Sequence, residues 1–335
     1  MKGFIMKKTT IKLICALIAV LMIIPITLTA CSKPDDELEI KVYALNGTTA
    51  LGMAQMKSNA DNDTDEMNYN IEFFPSADVI TGAIITGECA IAALPTNVAA
   101  KLYKKSEGKI QLLALNTLGV LYVLDTTGNV KSLDDLRGKT VYVPGTGSNP
   151  EYVTAALLEG AGLKVGTDVI VDGTTYASPD ALQAAVIAGT AEIAVLPEPK
   201  VTVVTSSADN VTVALDLTAE WEKLYGENTL VQGCLVVNKA FADEHPAELK
   251  KFLKDYKASV DFISAGSDEA IEMIVNAGIL PKAGVAKKAL PKCNICCITG
   301  NDMKDAISVF YQKLYDYDSK SIVALPDEGF YYIAE

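Results

Sequence analysis

One structural unit is written into this chain twice, and that duplication limits the folds open to it more than any other feature. Glu39 to Leu45 reads as a strand, and Asn46-Gly-Thr-Thr-Ala50 opens a helix through Met56. A polar, disordered-looking turn follows, from Ser58 to Asn68. Then come a strand at Ile71-Glu-Phe-Phe74, a helix started at Ser76 and stopped near Gly87, and a strand from Cys89 to Leu94 ended by Pro95. The order recurs downstream. Thr140 to Val143 is a strand, Pro144 to Pro150 opens a helix, Asp168 to Val171 is a strand, and Ser178 starts a helix ending near Gly189. Glu192 to Leu196 is the last strand, ended by Pro197. The nearest echo sets Gly87-Glu-Cys-Ala-Ile-Ala-Ala-Leu-Pro95 against Gly189-Thr-Ala-Glu-Ile-Ala-Val-Leu-Pro197. Strand-helix-strand units of this spacing build parallel sheets with right-handed crossovers. Two of them predict two α/β lobes, the alternative being one continuous doubly wound sheet.

The connections favour two lobes with a cleft. Gly119 to Leu124 reads as a strand leading away from the first lobe, and Gln232 to Val237 as one leading back. This sets lobe 1 at residues 39–122 plus 237–335 and lobe 2 at 123–236, with two crossings forming a hinge. The chain after the return strand reads as helical. Asp243 caps and Pro246 starts a helix whose stripe is Leu249, Phe252, Leu253, Tyr256, Val260 and Ile263. Packing these helices on the first lobe is the economical solution.

The amino terminus carries an address. Lys2, Lys7, Lys8 and Lys12 precede an apolar run from Leu13 to Leu28, and Leu28-Thr-Ala-Cys31 closes it. A positive leader, an apolar run and small residues before a cysteine resemble a bacterial lipoprotein signal. That predicts a signal peptide at 1–30, lipidation at Cys31 and a polar tether at 31–38. The run is marginal for spanning a bilayer and holds Pro25, which argues against a retained transmembrane helix. Several acyl chains hold a domain at a membrane far better than one.

Without the leader, which holds four lysines and no acid, the formal charge moves from −13 to −17. That balance excludes nucleic acid as a partner, because its binders need basic faces. Arg137 is the only arginine, so a ligand clamp of guanidinium forks is excluded on count. It sits in a short capped helix, Ser132 to Gly138, and reads as solvated. His245 is the only histidine, in Asp-Glu-His-Pro at a helix start, and also reads as solvated. There is consequently no Ser-His-Asp set and no Cys-His pair, and Gly-x-Ser-x-Gly is absent. Cys89 and Cys234 lie in apolar runs and read as buried thiols. Cys293, Cys296 and Cys297 are open to three readings: structural thiols, a local disulfide, or a metal site short of a fourth ligand. No cofactor is called for.

At this level the pattern resembles the substrate-binding proteins of ABC importers with the type 2 periplasmic-binding fold. Within these it is similar to the nitrate, sulfonate, taurine and thiamine-precursor branch. The carriers are Ser132-Leu-Asp-Asp-Leu-Arg-Gly-Lys-Thr-Val-Tyr-Val143, Gly189 to Pro199, and Val236-Val-Asn-Lys-Ala-Phe-Ala-Asp-Glu-His-Pro246. The resemblance implies two lobes, each a mostly parallel sheet flanked by helices, with two hinge crossings. It also implies a monomeric extracytoplasmic receptor that delivers a small molecule to an ABC permease with its ATPase. An exported enzyme on the same fold and a solute sensor are the other readings.

Ligands of open α/β sheets bind beyond the carboxyl ends of the strands. On the first lobe that singles out Asn46, Thr48, Thr49, Ser76, Thr96 and Asn97. On the second it singles out Thr146, Ser148, Asn149, Tyr176 and Glu198, while Thr117 and Gln232 flank the crossings. Thr48, Ser76, Ser148 and Ser178 also suit helix caps. Glu198, held between two prolines, is placed either to accept from a ligand amine or to cap a helix.

Overall fold

The structure, a computed structural model, describes residues 38–333. The leader, Cys31 and the tether up to residue 37 lie outside the described residues. Along the chain, β1 (Ile40–Leu45) leads into α1 (Thr48–Leu51) and α2 (Ala54–Asp61). Then follow β2 (Tyr69–Phe74), α3 (Ala77–Thr86), β3 (Ile91–Pro95), α4 (Thr96–Lys105) and β4 (Ile110–Thr117). The second series is β5 (Leu121–Asp125), β6 (Thr140–Tyr142), α5 (Asn149–Gly160), β7 (Ile170–Asp172) and α6 (Pro179–Ile187). It continues with β8 (Ile193–Pro197), α7 (Lys200–Ser207), β9 (Thr212–Asp216) and α8 (Leu217–Tyr225). The chain returns through β10 (Gly233–Asn238), α9 (Lys239–Glu244), α10 (Pro246–Ser264) and α11 (Asp268–Asn276). It ends with α12 (Ala283–Ala289), β11 (Ile295–Ile298) and α13 (Gly300–Tyr317).

The strands form two sheets, ordered β11-β4-β10-β3-β1-β2 and β7-β6-β8-β5-β9. Each duplicated unit gives parallel pairs, β1 with β2 and β3, and β6 with β7 and β8. The strands next to the crossings join antiparallel, β10 on β3 and β4, and β5 on β8 and β9. Both sheets are therefore mixed rather than mostly parallel. The reason is topological: a chain leaving one sheet and returning to it runs against the strands it left.

Several local expectations are corrected. The stretch expected as one helix from Asn46 through Met56 is two helices broken at Gly52. Helix α10 lies against that point, with Ser259 Oγ donating to Gly52 O at 2.6 Å. A Cβ at Gly52 would sit 2.6 Å from Tyr256 Oη and 2.9 Å from Val260 Cγ2, so only glycine lets the chains approach. The polar turn is shorter than expected, because α2 runs to Asp61. Asp243 does not cap the helix begun at Pro246: His245 holds that cap position without a side-chain hydrogen bond, Asp243 pairs with Lys239, and Asn238 caps α9, accepting from Phe241 N at 3.2 Å. The carboxyl-terminal region is not all helix: Ile295–Ile298 adds the edge strand β11 to the first sheet. Its alternate faces carry Cys296 and Cys297 into different apolar clusters, so the neighbouring thiols point apart. All five cysteines among the described residues are free, with Cys89, Cys234 and Cys293 buried. His245 is half-buried rather than solvated, its ring 4.8 Å from that of Phe241. Arg137 lies at the surface, paired with Asp134 at 2.7 Å and Asp168 at 3.1 Å.

Helix α10 buries Leu249, Phe252, Tyr256, Val260 and Ile263 as its stripe predicts. Each large aliphatic or phenyl group there is worth roughly 1.5–3 kcal/mol over leaving it exposed. The last helices do not all pack on the first sheet, however. Helix α13 touches β4 on one side and α5 on the other, and α12 touches α7. Met303, Ile307, Phe310 and Leu314 of α13 share one apolar cluster with Leu115 from the first sheet, Val123 and Val195 from the second, and Trp221 of α8. Covering α5 buries an apolar face that the second sheet leaves open, which is why α13 spans both. Among the described residues no helix is long and apolar enough to cross a membrane.

Candidate functional site

The carboxyl ends of β1, β3 and β8 and the start of α5 converge where the chain crosses between the sheets. The turn after β1 depends on Gly47, whose φ of 120° suits a residue without Cβ. Asn46 Oδ1 accepts from Gly47 N at 2.9 Å, and Thr49 Oγ1 donates to Leu45 O at 2.6 Å. Behind this turn Asn116 Nδ2 donates to Thr49 O at 3.0 Å, and Thr117 Oγ1 donates to Asn116 Oδ1 at 3.1 Å. The two crossings are tied to each other. Gln232 N donates to Thr117 O at 2.9 Å, and Thr96 N to Gln232 O at 3.1 Å. Glu198 N donates to Val120 O at 2.9 Å, joining the first crossing to the end of β8. Gly119, in that crossing, meets Thr218 and Leu230 so closely that no side chain fits.

Between these segments lies a cavity of about 140 Å³. The first sheet lends it Leu45, Asn46, Thr48, Thr49 and Pro95. Thr117, Val120 and Gln232 come from the crossings, and Asn149, Pro150 and Pro197 from the second sheet's side. None of these side chains is ionisable. Asn149 Oδ1 and Gln232 Nε2 are buried without a hydrogen-bond partner among the described residues. Larger hollows of about 400 and 520 Å³ share Asn238. The first opens at the amino ends of β1 and β3 and the second beside the amino end of β4, the wrong end of an α/β sheet for a ligand.

Six of the residues singled out from the sequence border the cavity: Asn46, Thr48, Thr49, Thr117, Asn149 and Gln232. The others lie apart from it. Thr96 is fully buried and donates to Val231 O at 2.9 Å, while Asn97, beside it at the start of α4, keeps a buried Oδ1 without a partner among the described residues. Ser76 and Ser148 cap α3 and α5, accepting from Asp78 N and Glu151 N. Thr48 does not cap: Gly47 holds the cap position of α1, and Thr48 stands in its first turn. Thr146 is exposed, and Tyr176 packs edge-on against Tyr142 at 5.3 Å. Glu198 turns to its own helix, taking Thr202 N and Thr202 Oγ1, each at 3.0 Å. Burial pushes its carboxyl above the ordinary glutamate range, against the Thr202 bonds and Lys292. Sequence reasoning missed Leu45, Val120 and Pro150, apolar residues at segment ends that give no chemical signal.

With this geometry in view, solved proteins of like shape decide the fold. An ABC transporter protein from Parabacteroides distasonis superposes with a TM-score of 0.75 at 23% identity, covering 90% of this chain and 100% of that one. The periplasmic aliphatic sulphonate-binding protein of Escherichia coli does so with a TM-score of 0.72 at 15% identity, over 89% and 92%. The alkanesulfonate-binding protein of Xanthomonas axonopodis pv. citri, bound to MOPS, gives 0.65 at 13% identity, over 88% and 96%. The chain has the periplasmic-binding-protein fold. Within it, residues 109–270 match the model of the NMT1/THI5-like family. This region runs from β4 through the whole second sheet to α11. No curated protein matches the sequence.

Proposed function

We propose that this chain is the solute receptor of an ABC importer, held outside the cytoplasm by lipid at Cys31 and acting as a monomer. The observation that carries the reading is the cavity at the crossings, which takes its lining from both sheets at the ends where α/β proteins bind ligands. The fold, the NMT1/THI5-like region and the lipoprotein-like leader agree with it. In this reading lobe 1 is residues 39–122 plus 237–335 and lobe 2 is 123–236, and the presence of two separate sheets supports that division. A ligand touched from both sides only in the closed form draws the equilibrium toward closure. The closed form is then the one a permease with its ATPase recognises. The lining carries no titratable group, which favours capture over conversion.

Small-angle scattering and calorimetry on the purified protein test the reading, together with mass spectrometry of small molecules released on denaturation. A ligand that binds in the low micromolar range or tighter and contracts the particle supports it. Binding with chemical turnover of the ligand would replace the receptor by an enzyme.

A further inference from the structure

We propose that the cleft takes a small uncharged molecule carrying a carboxamide, urea or lactam group. This rests on the receptor reading above and adds the ligand's chemistry to it.

Three observations converge. First, no side chain bordering the cavity is ionisable, so a charged ligand would lose its hydration with no opposite charge to replace it. Second, part of the N–H supply that helix starts could offer an anion is already spent. Pro150 has none, Glu151 N donates to Ser148 Oγ at 3.3 Å, and Thr96 N donates to Gln232 O. Third, two side-chain atoms are left over. Asn149 and Gln232 are each only 8% exposed, and Asn149 Oδ1 and Gln232 Nε2 have no partner among the described residues. One is an acceptor on α5, the other a donor at the crossing into β10, and both residues line the same cavity.

A group with N–H and C=O on adjoining atoms satisfies both. Asn149 Oδ1 accepts its N–H, and Gln232 Nε2 donates to its carbonyl. The match holds with both side-chain amides as placed or with both turned over; turning one alone would present two donors or two acceptors. A sulfonate or carboxylate has acceptors only and would leave Asn149 Oδ1 facing oxygen. An alkylammonium has donors only and would leave Gln232 Nε2 unpaired. The cavity, about 140 Å³ against the ~300–1,000 Å³ of drug-sized sites, restricts the ligand to a small molecule.

The test is a thermal-shift and calorimetric panel of matched skeletons on the purified protein. It sets propanamide, methylurea and 2-pyrrolidone against propanoate, ethanesulfonate and propylamine, with analysis of the small molecule released on denaturation. An uncharged amide-class probe should raise the melting temperature and bind at least about tenfold tighter than its charged counterparts. Asn149→Leu and Gln232→Leu should each weaken that probe by about tenfold or more, read against each variant's own unliganded melting. Tighter binding of the sulfonate, carboxylate or amine overturns the ligand class and leaves the receptor reading standing. If no probe binds, the released molecule decides: a neutral amide-bearing compound supports the proposal, and any other chemistry overturns it. No binding and no released molecule overturns both readings.

Discussion

Lys292, in the turn before β11, brings its ammonium within 3.8 Å of the carboxylate of Glu198 at the end of β8. The pair joins the two sheets' sides of the molecule beside the first crossing. Tyr122 Oη adds a bond to Lys292 O at 3.5 Å. Glu198 is fully buried and Lys292 half exposed, so the pair is unequal.

That inequality gives a pH dependence. Burial is the largest influence on Glu198 and raises its pKa, outweighing Thr202 and Lys292. The folded protein therefore holds this proton to higher pH than the unfolded chain, and stability falls as pH rises from the ordinary glutamate value through the raised one. Glu198→Gln keeps the acceptor for Thr202 and should remove that slope, with a higher melting temperature than wild type at neutral pH. Lys292→Ala should steepen the slope and cost about 0.5–1 kcal/mol at neutral pH. Melting curves across the acid range check both.

Gly233 packs against Thr49 and Thr117, two residues that line the cleft. A Cβ there would lie 2.5 Å from Asn116 Oδ1, 2.8 Å from Thr49 Cγ2 and 2.9 Å from Thr117 Oγ1. Gly233→Ala should cost about 1–3 kcal/mol by overpacking and disturb the polar residues beneath the cavity. Gly82, exposed within α3, has open space where a methyl group would stand, with no atom within 4 Å, so Gly82→Ala should stabilise by about 0.5–1 kcal/mol. Urea denaturation of the two variants should shift the midpoint in opposite directions.

Trp221, the only tryptophan, is fully buried and donates from Nε1 to Thr229 Oγ1 at 3.1 Å, with the Phe310 ring 5.7 Å away. Phe310→Ala should cost about 3–5 kcal/mol and red-shift the tryptophan emission as water reaches the indole. An unshifted spectrum with unchanged stability would contradict the contact between α13 and the second sheet's side.

Cys31→Ser should move the protein from the membrane fraction to the soluble one while its melting temperature stays that of the wild type. Fractionation and melting of the released protein check this. Loss of folding in that variant would contradict the separation of anchor from binding domain.

The duplicated strand-helix-strand pattern was legible because periodicity and terminating prolines are local. Pro95 and Pro197 close β3 and β8 where the sequence places them, and the stripe of α10 needs no partner to be seen. The break at Gly52 was not legible, since it comes from α10 pressing on the chain from far along the sequence. The same holds for β11, a short apolar run that becomes a strand only because β4 offers it an open edge. At the cleft, a residue's type and its place after a strand marked Asn46, Thr49, Asn149 and Gln232, but also Ser148 and Glu198, which serve their own helices.

The sequence by itself determined two repeated α/β units and an acidic body with a single arginine. These depend on spacing, composition and charge, which exist before folding. Only the tertiary structure decided which polar side chains remain unsatisfied and belong to residues that line one cavity. Hydrogen-bond partners are assigned by what packs nearby, and for Asn149 and Gln232 those neighbours come from opposite sides of the chain's two crossings.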